Sequence, residues 1–183
     1  MRNVCLSMRT SLDGYVAGPK GELNWAFRSL DPQQEAEIVE WLRTVDTILI
    51  GRITYLQQAS FWPGQTGDMA ELLNAHEKVV FSTTLDKVEW NNSRLATSSI
   101  AEEVASLKQS EGKDIYVTGG ASLAGSLVKL GLVDQFNLTI HPVMLGAGKP
   151  LFPELREPTD LVLTSSRTFD SGAVHLTYSR GER

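Results

Sequence analysis

The sequence lacks what several protein classes require. Its one cysteine, Cys5, excludes an internal disulfide and any multi-cysteine zinc or iron–sulfur site. Cys5 lies in an apolar run, where a buried, inert thiol is expected. No basic run is longer than two residues, and 17 basic against 22 acidic side chains give a net charge of −5. A nucleic-acid binder would show a basic face, so no nucleic-acid partner is expected. No apolar run approaches the roughly 20 residues that span a membrane. The start, Met1-Arg2-Asn3-Val4, carries no signal-peptide h-region. No membrane partner is expected, and the cytoplasm is the simplest location. His76, His141 and His175 show no metal-ligand spacing, so structural roles and no metal are expected. The familiar phosphate fingerprints are missing too: there is no Gly-x-Gly-x-x-Gly after the first strand and no Gly-x-x-x-x-Gly-Lys-Ser/Thr. Gly-x-Ser-x-Gly is also absent, which argues against an α/β-hydrolase.

What is present is ordinary globular material. The chain has 183 residues, 42% apolar and 21% charged, enough for one domain over 1–183 with a full core. No repeat or linker divides it. Val4 to Met8 reads as a strand that breaks at Ser11-Leu12-Asp13-Gly14. Asp31-Pro32 with Gln34 reads as a capped helix start, followed by Ile38, Trp41, Leu42 and Val45 at helical spacing. Thr47 to Ile50, Lys78 to Ser82 and Asp114 to Thr118 are runs of the buried parallel-strand kind. Ser99 and Glu102 form a capping box for a helix to Ser110, and Leu123, Leu127, Val128 and Leu130 make another, closed by Gly131. Phe136, Leu138 and Ile140 alternate with polar residues. Leu161 to Phe169 and Ala173 to Tyr178 flank the turn signal Asp170-Ser171-Gly172. The expectation is an α/β fold whose mostly parallel sheet acquires antiparallel strands.

Ligands bind open α/β sheets outside the carboxyl ends of the strands. Small or hydroxyl residues stand at such ends in Gly51-Arg52-Ile53-Thr54, Ser82-Thr83-Thr84, Gly119-Gly120-Ala121-Ser122 and Ser11 to Gly14. Glycine admits close approach of an anion, helix N-terminal amides point at it, and Arg52 could add a charge-assisted pair. Phosphate binding and plain tight turns both remain open on these residues alone.

The ordered set of segments resembles the dihydrofolate reductase-like superfamily, in particular the reductase domain of the bifunctional riboflavin-biosynthesis deaminase–reductase. It comprises Ser11-Leu12-Asp13-Gly14-Tyr15-Val16-Ala17, Ile48 to Tyr55, Val79 to Ser82, Ile115 to Ala121, and His141 to Phe152. The resemblance spans nearly the whole chain. It implies a three-layer α/β/α fold with an eight-stranded, mostly parallel mixed sheet and a C-terminal antiparallel hairpin. It also implies an NADPH-dependent reductase and a homodimer. By position, Gly51, Arg52 and Thr54 would hold phosphates, with Arg52 near the 2′-phosphate. Ser82, Thr83 and Thr84 would flank the adenosine end, and Gly119, Gly120, Ala121, Ser122 and Leu123 would cradle the pyrophosphate. The resemblance further implies a cis peptide between Gly119 and Gly120.

The implied chemistry is hydride transfer to a C=N bond of a pterin-like or ribosylaminopyrimidine substrate. Asp13 and Glu35 are the candidate catalytic acids, and Gly14, Trp25, Leu145 and Gly146 the candidate substrate contacts. The sequence departs from the family in several places, among them the first-helix carboxylate that holds the pterin ring in dihydrofolate reductases, for which Glu35, on an acidic turn with Glu37 and Glu40, is the nearest counterpart. No zinc deaminase half is present. Tyr15 stands where riboflavin enzymes carry a basic residue. Gln57 to Pro63 replaces their acidic–proline–arginine segment. A nucleotide- or flavin-binding module without turnover, dihydrofolate reductase-type activity, and an unrelated α/β transferase are the alternatives.

Overall fold

Short apolar runs ending in glycine or hydroxyl residues make the strands, and capped amphipathic segments make the helices between them. The computed structural model describes residues 1–29, 32–152 and 157–181. The strands are β1 (Val4–Ser11), β2 (Tyr15–Ala17), β3 (Val45–Gly51), β4 (Glu77–Phe81), β5 (Ser93–Leu95), β6 (Asp114–Thr118), β7 (Gln135–His141), β8 (Lys149–Pro150), β9 (Leu161–Thr168) and β10 (Val174–Arg180). The helices are α1 (Pro32–Leu42), α2 (Arg52–Ala59), α3 (Asp68–Ala75), α4 (Ile100–Gln109) and α5 (Ala121–Lys129). Helix α1 begins at Pro32 as expected, while its expected cap, Asp31, lies outside the described residues.

Eight strands form one sheet in the order β5-β4-β3-β6-β1-β7-β10-β9, and β2 pairs with β8 separately. Strands β5 to β7 of that order run parallel, while β10 and β9 are antiparallel and joined by the expected hairpin. Successive strands β1, β3, β4 and β5 move one way across the sheet, and the chain then returns to insert β6 between β3 and β1. Right-handed crossovers put helices made on opposite directions of travel on opposite faces. Accordingly Leu49, Val79 and Val117 pack with Val104, Leu107, Leu123 and Leu127 of α4 and α5. Ile48, Ile50 and Val80 pack on the other face with Leu42, Tyr55 and Leu73 of α1 to α3. The strand periodicity of two divides these apolar runs between two cores.

Four local features differ from the sequence reading. Val45, read at helical spacing after Leu42, opens β3 instead, because α1 ends at Leu42. β1 continues past Met8 to Ser11, because its polar odd-numbered residues pair alongside β7 up to Ser11 and His141. Helices α2 and α3 carry few buried residues, Tyr55 in one and Ala70 and Leu73 in the other, too sparse a stripe to show as a periodicity. No cis peptide occurs among the described residues, so the Gly119–Gly120 bond is trans rather than cis. The chain instead reverses into α5 through two consecutive left-handed glycines, at φ +55° and +76°.

Candidate functional site

The reversal of strand order makes a switch point between β3 and β6, where α2 departs to one face and α5 to the other. Ile50 pairs with Thr118 and Gly51 with Phe81, so the strand ends are level. Helix α2 starts from Gly51 and α5 from Gly120. Neither has a side-chain cap or an acidic residue in its first turn. Their first amides therefore lack a capping side chain at the positive ends of two helix dipoles. A Cβ on Gly119 would stand 2.5 Å from Thr54 Cγ2 and 2.9 Å from Thr54 Oγ1. One on Gly120 would lie 3.5 Å from Thr54 Oγ1, and one on Gly51 3.7 Å from Leu123 Cβ. Gly51, Thr54, Gly119, Gly120 and Leu123 are thus brought together, and the close approach of Thr54 requires glycine at 119.

The remaining predicted cofactor residues surround this nucleus. Arg52 is exposed and makes no hydrogen bond or ion pair among the described residues. Ala121 is half-buried and Ser122 exposed on the first turn of α5. Thr83 and Thr84 are exposed after β4, one strand further out. Ser82 closes its own turn, its Oγ accepting from the amides of Thr84 at 3.2 Å and Leu85 at 3.0 Å.

The loops after β1 and β7 form the second half of the site. Asp13 accepts from the Ser11 hydroxyl at 2.6 Å, the Leu145 amide at 3.1 Å and the Gly146 amide at 2.8 Å. These donors, the Ser11 hydroxyl first, hold its carboxyl down to about 2. Asp13 is therefore an ionised acceptor that ties the two loops together. Gly14, at φ +84°, accepts from the Leu151 amide at 3.0 Å in the same loop pair. The predicted residues Asp13, Gly14, Leu145 and Gly146 thus meet. Trp25 is buried, its indole nitrogen donating to Glu22 O at 3.1 Å and its ring edge-on to His141 at 5.6 Å.

Glu35 does not join them. It is exposed on the outer side of α1, whereas Gln34 is buried and donates to Ser171 Oγ at 3.1 Å. The carboxylate facing the sheet is Glu37, paired with Arg167 of β9, and its charge acts on His175 of β10. Sequence reasoning also passed over Arg9 and Tyr116, and it gave His141 a structural role only. His141 is fully buried, with Nδ1 2.5 Å from Ser29 Oγ and Nε2 without a partner among the described residues. Burial, then the charge of Arg9, pushes it down to about 4, so it is neutral near pH 7. The available signal was strand alternation: Arg9 and His141 share a face on adjacent strands. Cys5 is the buried thiol expected, pushed up to about 12 by burial and by the nearby Asp114 and Asp134. No helix among the described residues is long and apolar enough to cross a membrane.

The architecture is that of the dihydrofolate reductase-like fold. Dihydrofolate reductase from Enterococcus faecalis, in complex with NADP(H) and RAB-propyl, superposes with a TM-score of 0.65 at 16% identity, covering 98% of this chain and 97% of that one. The chain belongs to the RibD C-terminal domain family, whose sequence model matches residues 2–175. A Shewanella sp. PV-4 protein named for riboflavin biosynthesis superposes with a TM-score of 0.83 at 26% identity, covering 100% of both chains. The uncharacterized Bacillus subtilis (strain 168) protein YyaP is 37% identical over 182 residues, 97% of this chain and 94% of its own.

Proposed function

We propose that this chain is an NADPH-dependent reductase. It would deliver hydride to a polarised C=N bond of a pterin-like or ribosylaminopyrimidine substrate, in the manner of a 5-amino-6-(5-phosphoribosylamino)uracil reductase. The observation that carries this reading is the convergence of Gly51, Thr54, Gly119, Gly120 and Leu123 between two uncapped helix starts. That arrangement fits a dinucleotide phosphate chain, since glycine permits close backbone approach and the amides supply donors. Gly119, Gly120, Ala121, Ser122 and Leu123 would hold the pyrophosphate. Arg52 would take the 2′-phosphate, with Ser82, Thr83 and Thr84 beside the adenosine. When bound, the nicotinamide would supply the hydride. The loop pair tied by Asp13 would fix Gly14, Leu145 and Gly146 against the substrate, and Trp25 would help exclude water.

A binding module without turnover is the second reading. The placement of the two predicted acids favours it: Asp13 is held ionised by its donors, and Glu35 faces solvent. Oxidation of NADPH in the presence of a dihydropterin or an aminopyrimidine separates the two. We also place the protein in the cytoplasm as a homodimer. Strand β9 is a sheet edge exposed almost throughout, with Val162 53% and Leu163 50% accessible. Sedimentation of the full chain reads that stoichiometry.

The first test of the cofactor is titration with NADPH and NADH, followed by tryptophan fluorescence. NADPH is expected to bind more tightly, and Arg52→Ala to weaken NADPH about tenfold while leaving NADH little changed. Failure of both nucleotides to bind overturns the reductase reading.

A further inference from the structure

Elsewhere the chain pairs its interior cations. Arg2 is held by Asp46, Thr47 Oγ1, Ser110 Oγ and the Lys113 carbonyl. Arg94 bridges Glu77 and Glu103, and Lys78 donates to the Leu73 and Asn74 carbonyls at the end of α3. Arg9 is different. It is half-buried in the middle of the sheet, yet it makes no hydrogen bond or ion pair among the described residues. Its guanidinium instead lies 5.7 Å from the centre of the Phe27 ring, and that ring is itself 58% exposed.

The position of Arg9 gives this meaning. Val4, Leu6 and Met8 of β1 enter the core beneath α4 and α5, so Arg9 points to the face that carries α1. β6 stops where Thr118 pairs with Ser7, while β1 runs on beside β7. Arg9 is two residues beyond that last pair, level with the Gly119–Gly120 turn. Its partner on β7 is Thr139, and two residues further along the same face is His141, within reach of its charge, fully buried and neutral, with its Nε2 unpartnered among the described residues. The phenol of Tyr116 is also within reach of its charge. A half-buried guanidinium that pairs with no carboxylate among the described residues costs stability unless something else supplies the negative charge. A stacked ring beside a planar cation suits a planar anion.

We propose that Arg9 sets substrate specificity by receiving an anionic group on a planar heterocycle, a carboxylate or an ionised ring oxygen. The ring lies toward Phe27, and His141 Nε2 serves as an uncharged hydrogen-bonding neighbour. The proposal rests on the reductase reading and adds the charge and shape of the molecule reduced. Arg9 here is a binding residue for substrate, separate from Arg52, which the reductase reading assigns to the 2′-phosphate.

The test compares matched probes, orotate against uracil and pterin-6-carboxylate against pterin, by equilibrium binding to the full chain with and without NADPH. Each carboxylate is expected to bind at least about tenfold more tightly than its neutral parent. Arg9→Met should erase that preference and Arg9→Lys should keep part of it, since the charge remains without the planar fork. Without ligand, Arg9→Met should melt at or above the wild-type temperature, because it removes an unpaired charge and keeps the apolar stem. Equal affinity for charged and neutral probes overturns the proposal. So does no saturable binding of either carboxylate, a preference that survives Arg9→Met, or a large fall in melting temperature. Loss of NADPH binding alone would sink the reductase reading and leave the anion preference standing as a separate result.

Discussion

Helices α4 and α5 lie on the same face of the sheet and begin at the same end of it, yet they start in opposite ways. At α4, Ser99 Oγ accepts from the Glu102 amide at 3.3 Å, and Glu102 accepts from the Ser99 amide at 3.0 Å. Glu103 then adds a second carboxylate, bound to Arg94 and to the Thr97 amide at 3.1 Å. At α5 the corresponding positions are Gly120, Ala121, Ser122 and Leu123, with no cap and no acid. The chain closes off the amides of α4 with its own side chains and leaves those of α5 open. Self-satisfied donors stabilise a fold, whereas open ones at a sheet's switch point are available to a ligand anion. The same contrast holds for cations: Arg94 stands between two carboxylates, and Arg9 pairs with none among the described residues.

The comparison breaks most visibly at Gly119. Gly119→Ala would force a Cβ into a left-handed residue and against the Thr54 methyl. Thermal denaturation should show a loss of about 3 kcal/mol, and nucleotide titration should show loss of NADPH binding. Thr54→Ser in the same chain should recover part of the stability by removing the methyl. Next in size is Ala121→Asp, which gives α5 the acid that α4 has. Helix stability should rise by about 0.5 kcal/mol while NADPH affinity falls at least about tenfold; unchanged affinity would mean the α5 amides do not meet phosphate. Smallest is Ser99→Ala, expected to cost about 1 kcal/mol of stability with no change in nucleotide affinity. An effect on nucleotide binding from so distant a cap would undo the contrast between the two helices.

Much of this architecture is legible in local sequence. The runs at β3, β4 and β6 end in small residues because buried parallel strands are apolar on both faces and their βα turns are tight. The capping box of α4 and the Asp170-Ser171-Gly172 hairpin are also local, made by residues a few positions apart. The candidate phosphate residues could be read for the same reason, as each lies just after a recognisable strand. α1 was legible only in part. Glu35 and Glu37 are two residues apart, roughly 200° around a helix, so packing of Gln34, Ile38 and Trp41 toward the sheet decides which one faces it. That packing turns Glu37 inward and Glu35 out.

The sequence by itself determined the alternation of strands and helices, the caps, the glycine turns and the absence of an internal disulfide. All of these depend on neighbouring residues and on periodicity. Only the tertiary structure decided that the Asp13 carboxylate would be consumed by the amides of Leu145 and Gly146. It also decided that Thr54 would demand glycine at 119 and that Arg9 would stand on the same face as His141 with no ion pair among the described residues. Those outcomes depend on which distant strand ends the sheet order makes adjacent. No local propensity carries that information.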